Sequence, residues 1–143
     1  MSDEPETLRR ILRQTRVIAV VGLSERPDRA SHYVARYLQQ QGYRIIGVNP
    51  LLAGRQVLGV PVHASLLDLP QPVDMVDVFR RTEDVLPIAQ QALEIGAKCL
   101  WQQSGIANRE ADALARAAGV DSVMDRCTKV EHARLLGNAA PRH

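Results

Sequence analysis

The stretch RVIAVVGLS, residues 16–24, decides the fold of this chain. It begins as a continuous run of β-branched and aliphatic residues, which is typical of a strand buried on both faces of a sheet. Gly22 and Ser24 follow where the apolar run ends. A polar loop then leads to a segment with helical spacing, residues 31–41, for which Ser31 is the expected N-cap. A nucleotide-binding sheet carries its phosphate turn at such a strand–glycine–helix junction.

The rest of the chain alternates between short apolar runs and amphipathic segments. A helix is expected over residues 5–15, and Pro61 predicts that the short strand around it lies at an edge of the sheet. Thr82 is expected to cap the helix that it begins. Further strands are predicted over residues 43–48, 60–64, 73–79, 98–102 and 120–124. Further helices are predicted over residues 82–95, 108–118 and 128–136.

The order of these elements predicts an α/β domain. Strands that are separated by helical crossovers run parallel, with right-handed connections. We therefore expect one doubly wound, mainly parallel sheet of about five strands with helices on both faces, and a single domain over residues 1–143 with a frayed tail over 137–143. Ligands of such sheets bind beyond the carboxyl ends of the strands, at the switch point. The chemistry is expected on residues 22–30, 49–54, 79–82, 102–108 and 125–128.

The composition excludes several classes of function. The chain has 143 residues, of which 45% are hydrophobic, so it can bury a core. Its 18 Lys and Arg against 16 Asp and Glu exclude a strongly basic coat for nucleic acid. The five aromatic residues (three Tyr, one Trp, one Phe) are too few for stacking platforms. Neither a signal peptide nor an apolar run of about 20 residues is found, so we expect a cytoplasmic protein with no membrane or nucleic-acid partner.

The first candidate site is the glycine turn itself. Gly22, Leu23 and Ser24 stand where a dinucleotide fingerprint would begin, although the full GxGxxG pattern is absent. Arg26 and Arg29 follow, and Ser31 begins the helix. Free backbone N–H groups, hydroxyls and guanidinium groups together suit a phosphate or pyrophosphate. The alternative is a tight turn with a capping serine.

Two further candidate segments end the second and fourth predicted strands. Asn49 and Pro50 stand where an NAD-binding sheet would place an acidic residue for the ribose, and their alternative role is to end the strand. The missing acid argues against hydride transfer. Phe79 offers an apolar surface for an adenine ring, and Arg80 adds positive potential. The alternative for this pair is a buried phenylalanine beside a solvated arginine.

The last candidates follow the two final strands. Gln102, Ser104, Gly105 and Ile106 form a polar, glycine-containing turn that can hydrogen-bond a purine or an amide. Cys127 stands at a predicted helix start between basic residues, a setting in which a thiol can be reactive, and its alternative is a structural cysteine. No His, Cys or carboxylate residues stand at metal-ligand spacing, and no catalytic set is predicted.

These pieces, in this order, resemble the small stand-alone CoA-binding proteins, whose domain is similar to the N-terminal domain of the succinyl-CoA synthetase α subunit. The resemblance covers residues 8–136 and implies a Rossmann-like fold. The matching pieces are VVGLS (20–24), GYRII (42–46), VNP (48–50), VFR (78–80), WQQSGI (101–106) and DRC (125–127).

The resemblance implies that coenzyme A binds along the carboxyl edge of the sheet. Since no catalytic set is predicted, we expect a protein that binds CoA or an acyl-CoA without catalysis of its own. In that picture the Gly22 turn faces the phosphates, Pro50 and Phe79 flank the adenosine, and the turn around Gly105 closes over the pocket. Ligase activity is not implied, because the resemblance extends only to the N-terminal domain of the synthetase α subunit. A thiol-redox or acyl-transfer enzyme that uses Cys127 is the alternative, and an NAD(P)-dependent oxidoreductase is the least favoured. A homodimer or an acyl-CoA-linked enzyme is a plausible partner.

Overall fold

A computed structural model describes residues 5–137. It contains a seven-stranded sheet in the order β3-β4-β2-β1-β5-β6-β7. The strands are β1 (Val17–Val21), β2 (Arg44–Val48), β3 (Gln56–Val57), β4 (Val60–His63), β5 (Met75–Val78), β6 (Cys99–Gln102) and β7 (Asp121–Val123). The helices are α1 (Pro5–Gln14), α2 (Ala30–Gln40), α3 (Val85–Glu94), α4 (Arg109–Ala117) and α5 (Thr128–Leu135).

The predicted α/β architecture is confirmed, with all neighbouring strands parallel except β3 and β4. The sheet is wider than the five strands expected. Six strands were predicted individually, and the one that was not is β3, which has only two residues and so cannot display an alternating pattern. The prediction that Pro61 marks an edge was wrong: β4 lies between β2 and β3, and Pro61 faces Gln56 of the hairpin.

Helices cover both faces of the sheet, as the doubly wound pattern predicts. Helices α1, α2 and α5 pack on one face, in a core that contains the fully buried Trp101. Helices α3 and α4 pack on the other face, against alanines and valines. The small side chains of Ala89, Ala92, Ala111 and Ala115 are buried there and let these helices approach the sheet closely. Among residues 5–137, no helix combines the length and apolar character needed to cross a membrane.

The topology creates a crevice between β1 and β5. From β1 the chain passes through α2 on one face to β2 on one side, whereas β5 lies on the other side and continues into α3 on the opposite face. The order in which the strands are added therefore reverses between β1 and β5, and the carboxyl ends of these two parallel strands open where ligands of such sheets bind. The segments after Val21 and Val78 meet at this crevice, as the sequence predicted.

Two expected helix starts were wrong. Ser31 does not cap α2: Arg29 occupies the N-cap position, and the Ser31 side chain lies inside the first turn. Thr82 begins a 3₁₀ turn (Thr82–Asp84), so that α3 starts only at Val85. At both positions the side-chain hydroxyl instead forms a hydrogen bond with a neighbouring loop. The expected frayed tail over 137–143 lies, apart from Gly137, outside the described residues.

Candidate functional site

The turn after β1 is fixed between the ends of two neighbouring strands. The amide of Gly22 donates to the carbonyl of Val48, at 2.8 Å, and Gly22 has a φ of +94°. A Cβ added at Gly22 would lie 2.9 Å from the carbonyl oxygen of Phe79. Only glycine tolerates both the dihedral angle and this approach. The turn can therefore bring free backbone close to a ligand in the crevice.

Ser24 and Ser31 hold the loop that follows. The amide of Ser24 donates to the Ser31 hydroxyl at 2.9 Å, and the hydroxyl of Ser24 accepts from the amide of Arg26 at 3.0 Å. His32 Nδ1 donates to the carbonyl of Ser24 at 2.8 Å, because a carbonyl can only accept. His32 was not among the predicted site residues. The bonds to Ser31 and His32 tie the loop to the first turn of α2, and the bond to Arg26 lies within the loop.

A cavity of about 340 Å³, which we name the phosphate basin, opens above this loop. Arg26 and Arg29 are both exposed at its rim, and Arg26 forms an ion pair with Asp28 at 3.2 Å. The N-terminus of α2 lies at the same cavity through Arg29, Ala30 and Ser31, and the amides and dipole of a helix N-terminus favour an anion. The basin is lined by Gly22, Ser24, Arg26, Arg29, Ala30, Ser31 and Phe79.

Asn49 holds two of the loops that form the site. Its side-chain nitrogen donates to the carbonyl of Leu23 at 3.0 Å, and its oxygen accepts from the amide of Leu51 at 3.0 Å. Leu23 itself is fully buried, so that only its backbone belongs to the turn. Asn49 thus joins the loops after β1 and β2 and caps the 3₁₀ turn Pro50–Leu52.

A smaller cavity of about 160 Å³, which we name the strand cleft, continues the crevice past β2. It adjoins the phosphate basin through chain neighbours: Val21 precedes Gly22, and Arg80 follows Phe79. Pro50 and the half-buried Arg80 lie at this cleft. The remaining lining residues are Val21, Val48, Ala64, Ser65, Leu66, Ile88 and Gln91.

A cavity of about 420 Å³, larger than the phosphate basin, lies on the other side of that basin, and we name it the apolar basin. It shares Ala30 and Phe79 with the phosphate basin, so the two are continuous. Its polar lining side chains are those of Gln103 and Ser104. The rest of the lining is Tyr33, Val34, Ile106, Cys127 and Val130.

The turn after β6 is held by a buried side chain. Gln102 is fully buried: its oxygen accepts from the amide of Asn108 at 2.7 Å, and its nitrogen donates to the carbonyl of Asn108 at 3.2 Å. The exposed Gly105 has a φ of +82°, and its amide donates to the carboxylate of Asp125 at 2.6 Å. Asp125 in turn donates its own amide to the carbonyl of Ile106 at 3.0 Å. The loops after β6 and β7 therefore form one wall of the apolar basin.

A buried carboxyl group lies beneath this wall. Asp77 of β5 is fully buried, and its two oxygens accept from Gln103 Nε2 at 2.6 Å and from the Thr128 hydroxyl at 3.0 Å. Burial raises the pKa of Asp77 to about 7, against the lowering effect of these two hydrogen bonds. Gln103 lines the apolar basin, and Thr128 begins α5. The sequence signal for this group was an acidic residue inside an otherwise apolar strand.

The two cysteines differ in their environment. Cys99 is buried in β6, and burial raises the pKa of its thiol well above the ordinary value. Cys127 is partly exposed, occupies the N-cap position of α5 and lines the apolar basin. Only Cys127 is therefore within reach of a bound molecule. Within residues 5–137, no group of three or more His, Cys, Asp or Glu side chains is arranged to hold a metal ion.

The crevice thus brings most of the candidate residues together. The phosphate basin gathers Gly22, Ser24, Arg26, Arg29, Ser31 and Phe79, the strand cleft Pro50 and Arg80, and the apolar basin Ser104, Ile106 and Cys127. The side chains of Leu23, Asn49 and Gln102 are buried in support of the loops, and Gly105 lies in the wall without lining a cavity. Sequence reasoning missed His32, Tyr33, Asp77, Thr128 and Val130.

The comparisons with known proteins agree with this fold. The uncharacterised Bacillus subtilis protein YneT is 44% identical over 126 residues, which cover 88% of this chain and 92% of YneT. A solved Thermus thermophilus structure has a TM-score of 0.88 and 42% identity, and the match covers 92% of this chain and 98% of that one. An acetyl-coenzyme A synthetase of Ca. Korarchaeum cryptofilum shares the fold, with a TM-score of 0.66 and 22% identity over 78% of this chain and 27% of that one.

The match to a family model gives the more specific result. The model of the CoA binding domain matches residues 16–133, a range that contains the whole sheet and all three cavities. The chain belongs to the family of CoA-binding domains.

Proposed function

We propose that the protein binds coenzyme A or an acyl-CoA along the carboxyl edge of its sheet, without catalysis of its own. The order of the three cavities supports this proposal. The strand cleft, the phosphate basin and the apolar basin follow one another along the edge. Coenzyme A has three parts in a matching order: an adenosine, a diphosphate and a thiol-terminated arm.

The central part of the ligand carries the strongest argument. The diphosphate would lie at the Gly22 turn and the N-terminus of α2, between the exposed guanidinium groups of Arg26 and Arg29. Backbone amides at a helix start and arginine side chains are the donors that phosphate groups prefer. The hydroxyl oxygens of Ser24 and Ser31 accept the hydrogen bonds that preorganise the loop, and an O–H that accepts in this way can also donate to a phosphate oxygen.

The two outer parts fit the flanking cavities. The adenosine would lie toward the strand cleft, with Pro50 and Phe79 as apolar surfaces and Arg80 as a cation for a phosphate on the ribose. The arm would cross Phe79 into the apolar basin, beneath the wall that contains Ser104, Gly105 and Ile106. Asn49 and Gln102 would act through the loops that they hold.

The observation that carries the proposal is the continuity of the phosphate basin with an apolar basin through Ala30 and Phe79. Calorimetric titration of the reduced protein with CoA, with NAD as the control, tests it. We expect saturable binding of CoA and none of NAD. Absence of CoA binding, or equal binding of NAD, would overturn the proposal.

A second candidate function rests on the position of Cys127. Its partly exposed thiol lines the basin that would receive the arm of CoA. In thiol–disulfide exchange, the Cys127 thiolate would attack one sulfur of CoA disulfide. A mixed disulfide between Cys127 and CoA would form, the S–S bond of CoA disulfide would break, and one CoA thiolate would leave.

Mass spectrometry of the intact protein after incubation with CoA disulfide tests this second function. An adduct of one CoA that is lost in Cys127→Ser supports it. An adduct that persists in Cys127→Ser contradicts it. Cys99→Ser is the matched control, because Cys99 is buried in the sheet and should not change the adduct.

The remaining expectations concern location and partners. The free thiols of Cys99 and Cys127 agree with a reducing compartment such as the cytoplasm. A small-molecule CoA ligand is the primary partner in this proposal, and an acyl-CoA-linked enzyme or a second copy of the chain is a possible protein partner. Size-exclusion chromatography with and without CoA would detect self-association.

A further inference from the structure

The apolar basin contains more apolar surface than a free thiol can cover. Its volume is about 420 Å³, larger than the 340 Å³ of the phosphate basin. The two amides of a pantetheine arm need polar partners, which Gln103 and Ser104 offer on one side of the basin. The remaining lining is aliphatic or aromatic, apart from the thiol of Cys127. If the pantetheine arm ended in a free thiol, this apolar surface would stay in contact with water.

We infer that the apolar basin binds the acyl group of a short, uncharged acyl thioester. This inference rests on the proposed function, because the diphosphate must occupy the adjoining basin for the arm to deliver an acyl group here. Tyr33, Ile106 and Val130 would contact the acyl chain. Val130 is 56% exposed and Tyr33 is 38% exposed, and these are the large apolar side chains that such a chain would cover.

The charges around the basin favour an uncharged acyl group. No lining side chain is charged. The nearby ammonium group of Lys129 lies over the rings of Tyr33 and Tyr37, 5.4 and 5.6 Å from their centroids. This cation–π arrangement already engages Lys129. A carboxylate at the end of the acyl chain would lose water without gaining a ligand cation in the lining.

The test compares four ligands by calorimetry: CoA, acetyl-CoA, butyryl-CoA and succinyl-CoA. We expect butyryl-CoA to bind roughly three- to fifteenfold more tightly than acetyl-CoA, the range for partial to complete burial of two methylene groups. Succinyl-CoA has a four-carbon acyl chain like butyryl-CoA, and its additional carboxylate should make it bind more weakly than butyryl-CoA. If butyryl-CoA shows no gain, or if succinyl-CoA binds more tightly, the inference is overturned.

The same series separates this inference from the proposed function. Binding of CoA without a gain from the acyl group overturns the inference alone, whereas no binding of any of the four overturns both. Val130→Glu adds a charge at an exposed lining position and should reduce the ratio of butyryl-CoA to acetyl-CoA affinity to about one. The matched control is Ala113→Glu on the exposed side of α4, across the sheet, which should keep the ratio of the unmodified protein. A ratio that Val130→Glu leaves unchanged contradicts the inference.

Discussion

Gly22 lies so close to Phe79 that a Cβ on Gly22 would be 2.9 Å from the Phe79 carbonyl oxygen. The contact joins the carboxyl ends of β1 and β5, the two parallel strands between which the strand order reverses. It sets the depth of the crevice, because any side chain at Gly22 would push the two loops apart.

Gly22→Ala should therefore destabilise the protein and weaken CoA binding. The left-handed backbone costs about 1 kcal/mol or more for alanine, and the contact with Phe79 adds to that cost. Gly96→Ala is the control: its φ is +77°, but nothing lies within 4 Å of its added Cβ. Urea denaturation should show a larger loss for Gly22→Ala than for Gly96→Ala. Equal losses of unfolding free energy would mean that the close contact with Phe79 does not contribute to stability.

Arg26 and Arg29 should each contribute to the affinity for CoA. A charge-assisted hydrogen bond is worth roughly 1.5–3 kcal/mol, so Arg26→Ala and Arg29→Ala should each weaken binding by about that amount. Arg36→Ala is a control on the same helix, since Arg36 is exposed and does not line the basin. Calorimetry at low and high salt should show a smaller salt dependence in the first two variants. If the variants bind CoA with a free energy within about 0.5 kcal/mol of that of the unmodified protein, these arginines do not contact the ligand.

Asp77 should make stability depend on pH below neutrality. Burial raises its pKa from 3.8 to about 7, so the folded protein holds a proton that the unfolded chain releases between these values. The stability that comes from this proton is complete below about pH 4 and is lost as the pH rises to about 7. Each unit of pKa corresponds to about 1.4 kcal/mol, so the effect should amount to a few kcal/mol.

Asp77→Asn tests this dependence, because asparagine has the same shape and does not titrate. Its amide can accept from Gln103 and donate to Thr128. Denaturation between pH 4 and pH 8 should show that the variant loses less stability than the unmodified protein as the pH rises. Parallel profiles for the two proteins would contradict the raised pKa.

Gln102 should matter for stability more than for ligand contact. Gln102→Ala leaves the partly buried amide of Asn108 without its hydrogen-bond acceptor, whereas the Asn108 carbonyl still accepts from the amide of Asp112. The loss should cost about 1–3 kcal/mol. Thermal denaturation measures this loss, and the folded variant should still bind CoA. Unchanged stability with lost affinity would instead assign Gln102 to the ligand, as the sequence alone suggested.

The sequence predicted the crevice because the patterns that indicate it are short and local. Gly22 and Phe79 each follow an apolar run, and parallel strands bring such ends together whatever else the chain does. The expectation for Ser31 failed because its hydroxyl is used by Ser24, in a bond that no capping pattern encodes. Asp77 was missed as a structural group because its partners lie 26 and 51 residues away, on separate elements. Contacts of that kind depend on the packing of the whole domain.

The hairpin that covers β4 has a consequence for the behaviour of the protein at high concentration. The outermost strands of the sheet, β3 and β7, have only two and three residues. Asp121 at the start of β7 is moreover bound by the guanidinium group of Arg10, at 3.0 Å. Strands this short offer a neighbouring molecule few backbone hydrogen bonds, and such short edges protect sheet proteins against aggregation. Copies of this protein that associate should therefore do so through helical surfaces, and the sheet should not serve as a template for fibrils.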